Sequence, residues 1–257
     1  MTPERLDVEQ LLARLRAVAR SGDVLAFDGD GTLWAGDVAE DALAAAFTEG
    51  LLRERAAPAL EAECLAHALP SGGGARELAA RLCEAHVAGR VDERRAYEIM
   101  AWCWAGWAPE ELVREAGRIL AARDLARRYH PGLQRVLAWA RGAGLRCMVV
   151  SASPAPVVQA AAAGLGFAAG DIVAAEIAVE GGLLQPHLAR PLTYAEGKVA
   201  AALAALGGAR WLAAFGDSPF DLAMMREASM GVAVRPKASL LDALQPTDRV
   251  VVLAGDE

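Results

Sequence analysis

No apolar run of about 18 or more residues occurs in this chain, so nothing in it reads as a membrane-spanning helix. No block of lysines and arginines occurs either. The 26 basic residues are outnumbered by 33 acidic ones, for a formal charge of -7, which disfavours a nucleic-acid backbone as the main partner. Cysteine is scarce: Cys64, Cys83, Cys103 and Cys147 are scattered through a chain too large to need covalent staples, so a disulfide framework is not expected. The first residues, Met1-Thr2-Pro3-Glu4-Arg5-Leu6-Asp7, lack the apolar stretch of a secretory signal. A cytoplasmic protein with no membrane partner is the expectation. Internal repeats and low-complexity linkers are missing too. What is present is 257 residues at 54% hydrophobic and 23% charged, enough to bury a sizeable core.

Two pairs, Cys64-x-x-His67 and Cys83-x-x-His86, set a thiol and an imidazole on one helix face. That spacing matches no known zinc finger, and half-buried positions on alanine-rich helices account for it, so no zinc ligands are assigned. Gly164-Leu165-Gly166-x-x-x-Gly170 suggests a nucleotide-binding turn but follows a helix pattern rather than a strand.

Val8 to Ala19 repeats Leu and Val at helical spacing, and Ser21-Gly22-Asp23 stops it. Val24-Leu25-Ala26-Phe27 is a short apolar run, as expected of a strand buried on both faces. From about Asp37 to Arg128 the pattern is helical throughout, broken at Pro58, Pro70 to Gly74, Gly89 and Pro109. After His130-Pro131-Gly132, helices alternate with strands. Helices are expected at Leu133 to Arg141, Pro156 to Ala163, Glu196 to Leu206 and Phe220 to Glu227. Strands are expected at Leu145 to Val150, Trp211 to Phe215, Gly231 to Val234 and Val250 to Leu253. A β-hairpin is expected from Ile172 to Val179 and Leu183-Leu184 around Gly181-Gly182.

This alternation predicts an α/β fold: a Rossmann-like parallel sheet core with an inserted all-helical cap domain. Residues 1–36 and 129–257 form the core and 37–128 the cap. An insertion directly after the first strand lands where such sheets place their ligand crevice.

Phe27-Asp28-Gly29-Asp30-Gly31-Thr32-Leu33 carries two carboxylates just past a buried strand. Their repulsion disappears if a divalent cation sits near them, and an all-oxygen donor set suits Mg2+. Phe215-Gly216-Asp217-Ser218-Pro219-Phe220-Asp221 is a second acidic loop after a strand. Parallel strands deliver such loops to one edge of the sheet. Ser151-Ala152-Ser153, before a helix opened by prolines, offers hydroxyls and amides to a phosphate, and Lys198 stands near the start of another helix.

The order of aspartate loop, hydroxyl loop, lysine and second aspartate loop resembles the four motifs of the haloacid dehalogenase superfamily, from Val24 to about Lys237. Its phosphoserine-phosphatase-like branch, with a helical cap, is the nearest likeness. The resemblance implies that Asp28 is the nucleophile that takes the phosphoryl group, and that Asp30 protonates the leaving alkoxide and then activates water. It implies Mg2+ on the Asp28 carboxylate, the Asp30 carbonyl and Asp217, with Asp221 and Ser218 behind them. Gly29, Ser151, Ala152 and Lys198, together with the Asp30 amide, would hold the phosphate. A dehalogenase of this superfamily lacks the second aspartate, so Asp30 implies an oxygen leaving group. The implied activity is Mg2+-dependent hydrolysis of a small phosphorylated metabolite. A phosphotransferase on the same scaffold and a non-catalytic binding member are the alternatives.

Departures from the branch bear on substrate. Asp37 stands where the branch carries a glutamate for the substrate ammonium. Aligning Gly89-Arg90-Val91 with the corresponding cap stretch puts Glu93 at a phenylalanine position and Met100 at that of a carboxylate-clamping arginine. Serine phosphate is then disfavoured, and phosphocholine- or phosphoethanolamine-type substrates come forward. Arg53, Arg94 and Arg95 are the other arginines able to supply a clamp. Trp34 fits either packing or the substrate pocket. Trp102, Trp104 and Trp107 could form a cage for a quaternary ammonium. Packing is the expectation for them, because positions 102 and 104 are about 200° apart on a helix.

Overall fold

The computed structural model describes residues 3–255. Residues 1, 2, 256 and 257, which the expected core segments include, lie outside the described residues. The chain opens with a two-residue strand β1 (Arg5–Leu6) and helix α1 (Val8–Val18), whose N-cap Asp7 and residue Gln10 form a reciprocal capping box. Strand β2 (Val24–Phe27) follows. Next come α2 (Val38–Glu49), α3 (Ala57–Ala66), α4 (Ala75–Val87), α5 (Glu93–Trp102), α6 (Pro109–Ala122) and the single turn α7 (Leu125–Arg128). The remainder runs α8 (Pro131–Gly142), β3 (Arg146–Pro154), α9 (Ala155–Ala163), β4 (Ile172–Ala175), β5 (Ile177–Glu180), β6 (Leu183–Leu188), α10 (Glu196–Leu206), β7 (Trp211–Gly216), α11 (Leu222–Glu227), β8 (Met230–Val234), α12 (Ala238–Ala243) and β9 (Val250–Leu253).

Seven strands form one parallel sheet in the order β1-β9-β8-β7-β2-β3-β4, while β5 and β6 pair antiparallel on their own. β2 is buried along its whole length, and its side chains alternate between two cores. Leu25 and Phe27 join one core with Leu11 and Leu15 of α1, Leu133 of α8 and Val157 of α9. Val24 and Ala26 join the other with Ala202 of α10 and Met224 and Met225 of α11. Phe27 stacks on Phe215 of β7 with centroids 4.4 Å apart. From β2 the sheet grows toward β3 and β4 on one side and toward β7, β8 and β9 on the other. The reversal opens a crevice at the carboxyl ends of β2 and β7.

Two expectations need correction. β3 continues past Val150 to Pro154, so Ser151, Ala152 and Ser153 lie on the strand itself, where its pairing with β4 shifts register, and not in a loop after it. The run from Ile172 to Val179 is two strands. Its first half joins the main sheet as β4, and the chain turns away at Glu176, whose carbonyl accepts from Ala189 N–H, before β5 and β6 make the hairpin. No glycine or proline marks that break. The sequence reading also omitted β1 and α12, each six residues or shorter. No helix among the described residues is long and apolar enough to cross a membrane.

Candidate active site

The loop leaving β2 is wound around one carbonyl. Thr32, Leu33 and Trp34 all donate backbone N–H groups to the oxygen of Gly29, at 3.2, 2.9 and 3.3 Å. Gly31 turns the chain with φ +80°, and a Cβ there would collide with Oδ2 of Asp217, so both conformation and space demand glycine. The turn aims Asp28 and Asp30 into the crevice by separate means. Asp28 Oδ2 accepts from Thr32 Oγ1 at 3.1 Å, and Oδ1 accepts from Lys198 Nζ at 2.6 Å. Asp30 Oδ1 accepts from Trp34 Nε1 at 2.7 Å and from Val38 N–H at 2.8 Å, while Oδ2 accepts from Ser153 Oγ at 2.8 Å.

Lys198 reaches the crevice from the first turn of α10, which follows Ala195 at φ +49°, an unfavourable backbone angle for a residue with a Cβ. Its ammonium also donates to Asp221 Oδ1 at 2.6 Å. The other oxygen of Asp221 accepts from Asp217 N–H, Ser218 N–H and Ser218 Oγ at 3.1, 3.0 and 2.9 Å. Asp217 pairs with Lys237 at 3.0 Å. Among the described residues, Asp28, Asp217 and Asp221 form a buried cluster whose nearest carboxylate oxygens all lie within 4.8 Å of one another.

Burial raises the Asp28 carboxyl well above the usual range, and the charge of Asp221 adds to it against the pull of Lys198. Burial also raises Asp30, against the hydrogen bonds from Trp34, Val38 and Ser153. Asp217 is raised by burial despite Lys237. Burial opposes the charge on Lys198, but Asp221 and Asp28 together hold its pKa above the ordinary lysine value. The cluster thus carries one more carboxylate than the two lysines balance, all its donors are hard oxygens, and both features fit a Mg2+ ion. Asp221 already accepts four hydrogen bonds, so Asp28 and Asp217 are the carboxylates with capacity left for a metal.

The crevice has a volume of about 410 Å3. Asp28, Asp30, Ser151, Ala152, Lys198, Asp217 and Ser218 line it, as does Asp37. Gly29 does not; its carbonyl is spent inside the turn, and a Cβ on it would come within 2.7 Å of the Trp34 ring. Trp34 is wholly buried beneath that turn and does not line the crevice; its indole N–H holds Asp30 from behind. Met100 lines a neighbouring cavity and not the crevice.

Trp102, Trp104 and Trp107 are buried away from the crevice. Trp104 and Trp107 pack edge to face at 6.1 Å, and Arg95 and Arg53 cover Trp102 and Trp107. These arginines are engaged elsewhere, Arg53 with Glu111 and Arg95 with Glu63 and Glu98, and no arginine among the described residues lines the crevice. The Cys-x-x-His pairs do not converge: His67 bonds Glu63, Cys64 Sγ donates to Leu78 O, and His86 Nδ1 bonds Val91 O.

Several crevice residues were given no role in the site by the sequence. Tyr97, Tyr194 and Phe220 make a continuous aromatic wall, with centroids 5.8 and 4.6 Å apart. Glu40 and Glu93 join Asp37 at the rim, and Lys237 joins Lys198 at the aspartate cluster. Burial and the charge of Asp30 push the Asp37 carboxyl up to about 7. A larger cavity of about 580 Å3 lies at the amino ends of the strands, where Arg14, Arg210 and Asp248 are already ion-paired, and shares none of these groups.

The model of the haloacid dehalogenase-like hydrolase family matches residues 25–226. A protein of unknown function from Bordetella pertussis Tohama I has a similar structure at 20% identity and TM-score 0.70, covering 91% of this chain and 99% of that one. A HAD family hydrolase from Salmonella enterica subsp. enterica serovar Typhi is similar at 16% identity and TM-score 0.58, covering 90% of this chain and 68% of that one. A phosphoserine phosphatase, solved as a phospho-aspartyl intermediate analogue, is similar at 16% identity and TM-score 0.52, covering 91% and 94%. At these identities the likeness is one of fold. No curated protein matches the sequence.

Proposed function

The chain belongs to the haloacid dehalogenase-like hydrolase family, and from that premise we propose that it is a Mg2+-dependent phosphatase hydrolysing a small phosphomonoester through an aspartyl-phosphate intermediate. One observation carries this reading: two aspartates two residues apart face the same crevice but are held differently, Asp28 against an ammonium and Asp30 by neutral donors. A nucleophile must be ionised to attack, which the Lys198 ammonium favours at Asp28 against its burial, and a general acid must be able to hold a proton, which burial favours at Asp30 against its three hydrogen bonds.

In the first step a carboxylate oxygen of Asp28 attacks phosphorus. The bond to the leaving oxygen breaks, its electron pair goes to that oxygen, and Asp30 supplies the proton. In the second step Asp30 takes a proton from water, whose oxygen attacks phosphorus and frees Asp28. Lys198, Ser151 and the Asp30 and Ala152 amides would hold the phosphoryl oxygens. Mg2+ on the Asp28 and Asp217 carboxylates and the Asp30 carbonyl would supply further neutralising charge. Residues 37–128 act as the cap, carrying Asp37, Glu40, Glu93 and Tyr97 to the crevice mouth. The four free thiols suit a reducing, cytoplasmic compartment.

Three carboxylates and an aromatic wall at the mouth favour a leaving group that is neutral or carries an ammonium, as in phosphoethanolamine or phosphocholine, over the carboxylate of phosphoserine. The test is phosphate release from a panel of small phosphometabolites with water as the only acceptor. Release supports the hydrolase; transfer that needs an added alcohol would make it a phosphotransferase, and neither would make it a binding protein.

A further inference from the structure

Behind the crevice rim lies a second cavity, of about 310 Å3, inside the helical insertion between α2, α4 and α5. Asp37, Glu40, Glu93 and Tyr97 line both cavities, so the two adjoin along that rim. Past the rim the character changes. The annex is walled by Leu43 and Phe47 of α2, Leu82 of α4 and Ile99 and Met100 of α5. His86, its one imidazole, is tied to Val91 O. Among the described residues no lysine or arginine lines the annex, whereas both crevice lysines stand at the aspartate cluster.

We propose that the annex is the subsite for an apolar arm of the leaving alcohol. The substrate class is then phosphomonoesters whose alcohol is neutral or cationic next to the phosphate and aliphatic or aromatic at its far end. The assignment of the phosphoryl end rests on the phosphatase reading; the annex itself is an argument from shape and polarity. With the phosphoryl group at Lys198 and Ser151, the alcohol faces the rim, and an arm passing the rim enters a space lined by five large apolar side chains. Burying it there removes apolar surface from water. A carboxylate on that arm would meet Asp37, Glu40 and Glu93 with no counter-charge, which selects against anionic alcohols.

The test is calorimetric titration of the Mg2+-loaded protein with alkylphosphonates from ethyl to hexyl, and with a hexyl chain ending in a carboxylate. Each methylene taken up by the annex should tighten binding up to about fourfold, and the terminal carboxylate should weaken it by about tenfold or more. Ala96→Phe, on the annex wall, should shrink the hexyl-to-ethyl ratio. Equal affinity across the series, or a carboxylated chain binding as tightly as hexyl, overturns the proposal. Hydrolysis of the matching alkyl phosphates separates the two readings. Affinity that climbs with chain length while no phosphate is ever released keeps the annex and sinks the phosphatase. Hydrolysis with flat affinity does the reverse.

Discussion

Lys198 Nζ lies 2.6 Å from an oxygen of Asp28 and 2.6 Å from an oxygen of Asp221, so one buried ammonium holds the end of the β2 loop to the loop after β7. Lys198→Ala leaves two buried carboxylates without their shared cation, at a cost of about 3–5 kcal/mol. Uncompensated carboxylates have raised pKa values in the folded state, so that state is relatively favoured when they are protonated and penalised as pH rises through the folded pKa. The variant should therefore melt far below the parent at pH 8 and less far below it at pH 5. Equal melting temperatures at pH 8 would contradict the bridging role.

Asp28→Asn removes the nucleophile with little change in volume. Turnover should fall by about 10⁴- to 10⁶-fold while circular dichroism stays native. Retention of several per cent of parental phosphate release would mean that another group attacks phosphorus.

Trp34→Phe deletes one hydrogen bond to Asp30 and keeps most of the ring beneath Gly29. Val38 N–H and Ser153 Oγ still hold the carboxylate, so the expected loss is about tenfold in kcat, near the worth of one charged hydrogen bond, with KM little changed. A rise in KM with kcat intact would place the indole in substrate binding.

Chelators should abolish activity, Mg2+ should restore it, and Ca2+ should restore little. Ca2+ takes more and longer oxygen contacts, about 2.3–2.6 Å against 2.0–2.1 Å, which suits the compact Asp28–Asp217 pair poorly. Undiminished activity in a chelator would remove the metal from the reading.

Asp37 titrates near 7, so it is largely neutral at pH 6 and charged at pH 8. The preference in kcat/KM for phosphocholine or phosphoethanolamine over phosphoserine should widen across that interval, and Asp37→Asn should flatten it. The same elevation means that the folded state is favoured while Asp37 is protonated and loses that advantage as pH rises through about 7. Asp37→Asn should therefore gain roughly 1 kcal/mol at pH 8, after allowance for solvent screening, and nothing at pH 4. A specificity ratio that ignores pH, or a tenfold preference for phosphoserine, would refute the role given to this carboxylate.

The strand-end motifs were readable because each is short and its chemistry local: two acids and two glycines in Asp28 to Gly31 need only their own loop to be recognised. Lys198 was readable only through order along the chain, since nothing around it in sequence distinguishes it from a surface lysine. The aromatic wall had no such handle. Tyr97, Tyr194 and Phe220 come from three distant segments and meet only through tertiary packing. Trp34 did carry a signal: an indole four residues after Asp30, in a turn closed on Gly29, is within reach of that carboxylate. The split at Glu176 was hidden because β4 and β5 differ in pairing partner and not in composition.

The β5–β6 hairpin is stitched to the helical insertion by main-chain bonds: Gly106 N–H donates to Leu184 O, Leu184 N–H donates to Trp107 O, and Arg55 holds Gln185. These partners are separated by some eighty to one hundred and thirty residues. On a ribosome, the helices would emerge well before the strand that completes their edge, leaving Trp107 O and Gly106 N–H exposed in the meantime. A fragment cut at residue 128 inherits the same defect permanently. Excised or newly made, this run of helices stays unfinished until the hairpin arrives, because part of its main-chain pairing comes from strands synthesised long after it.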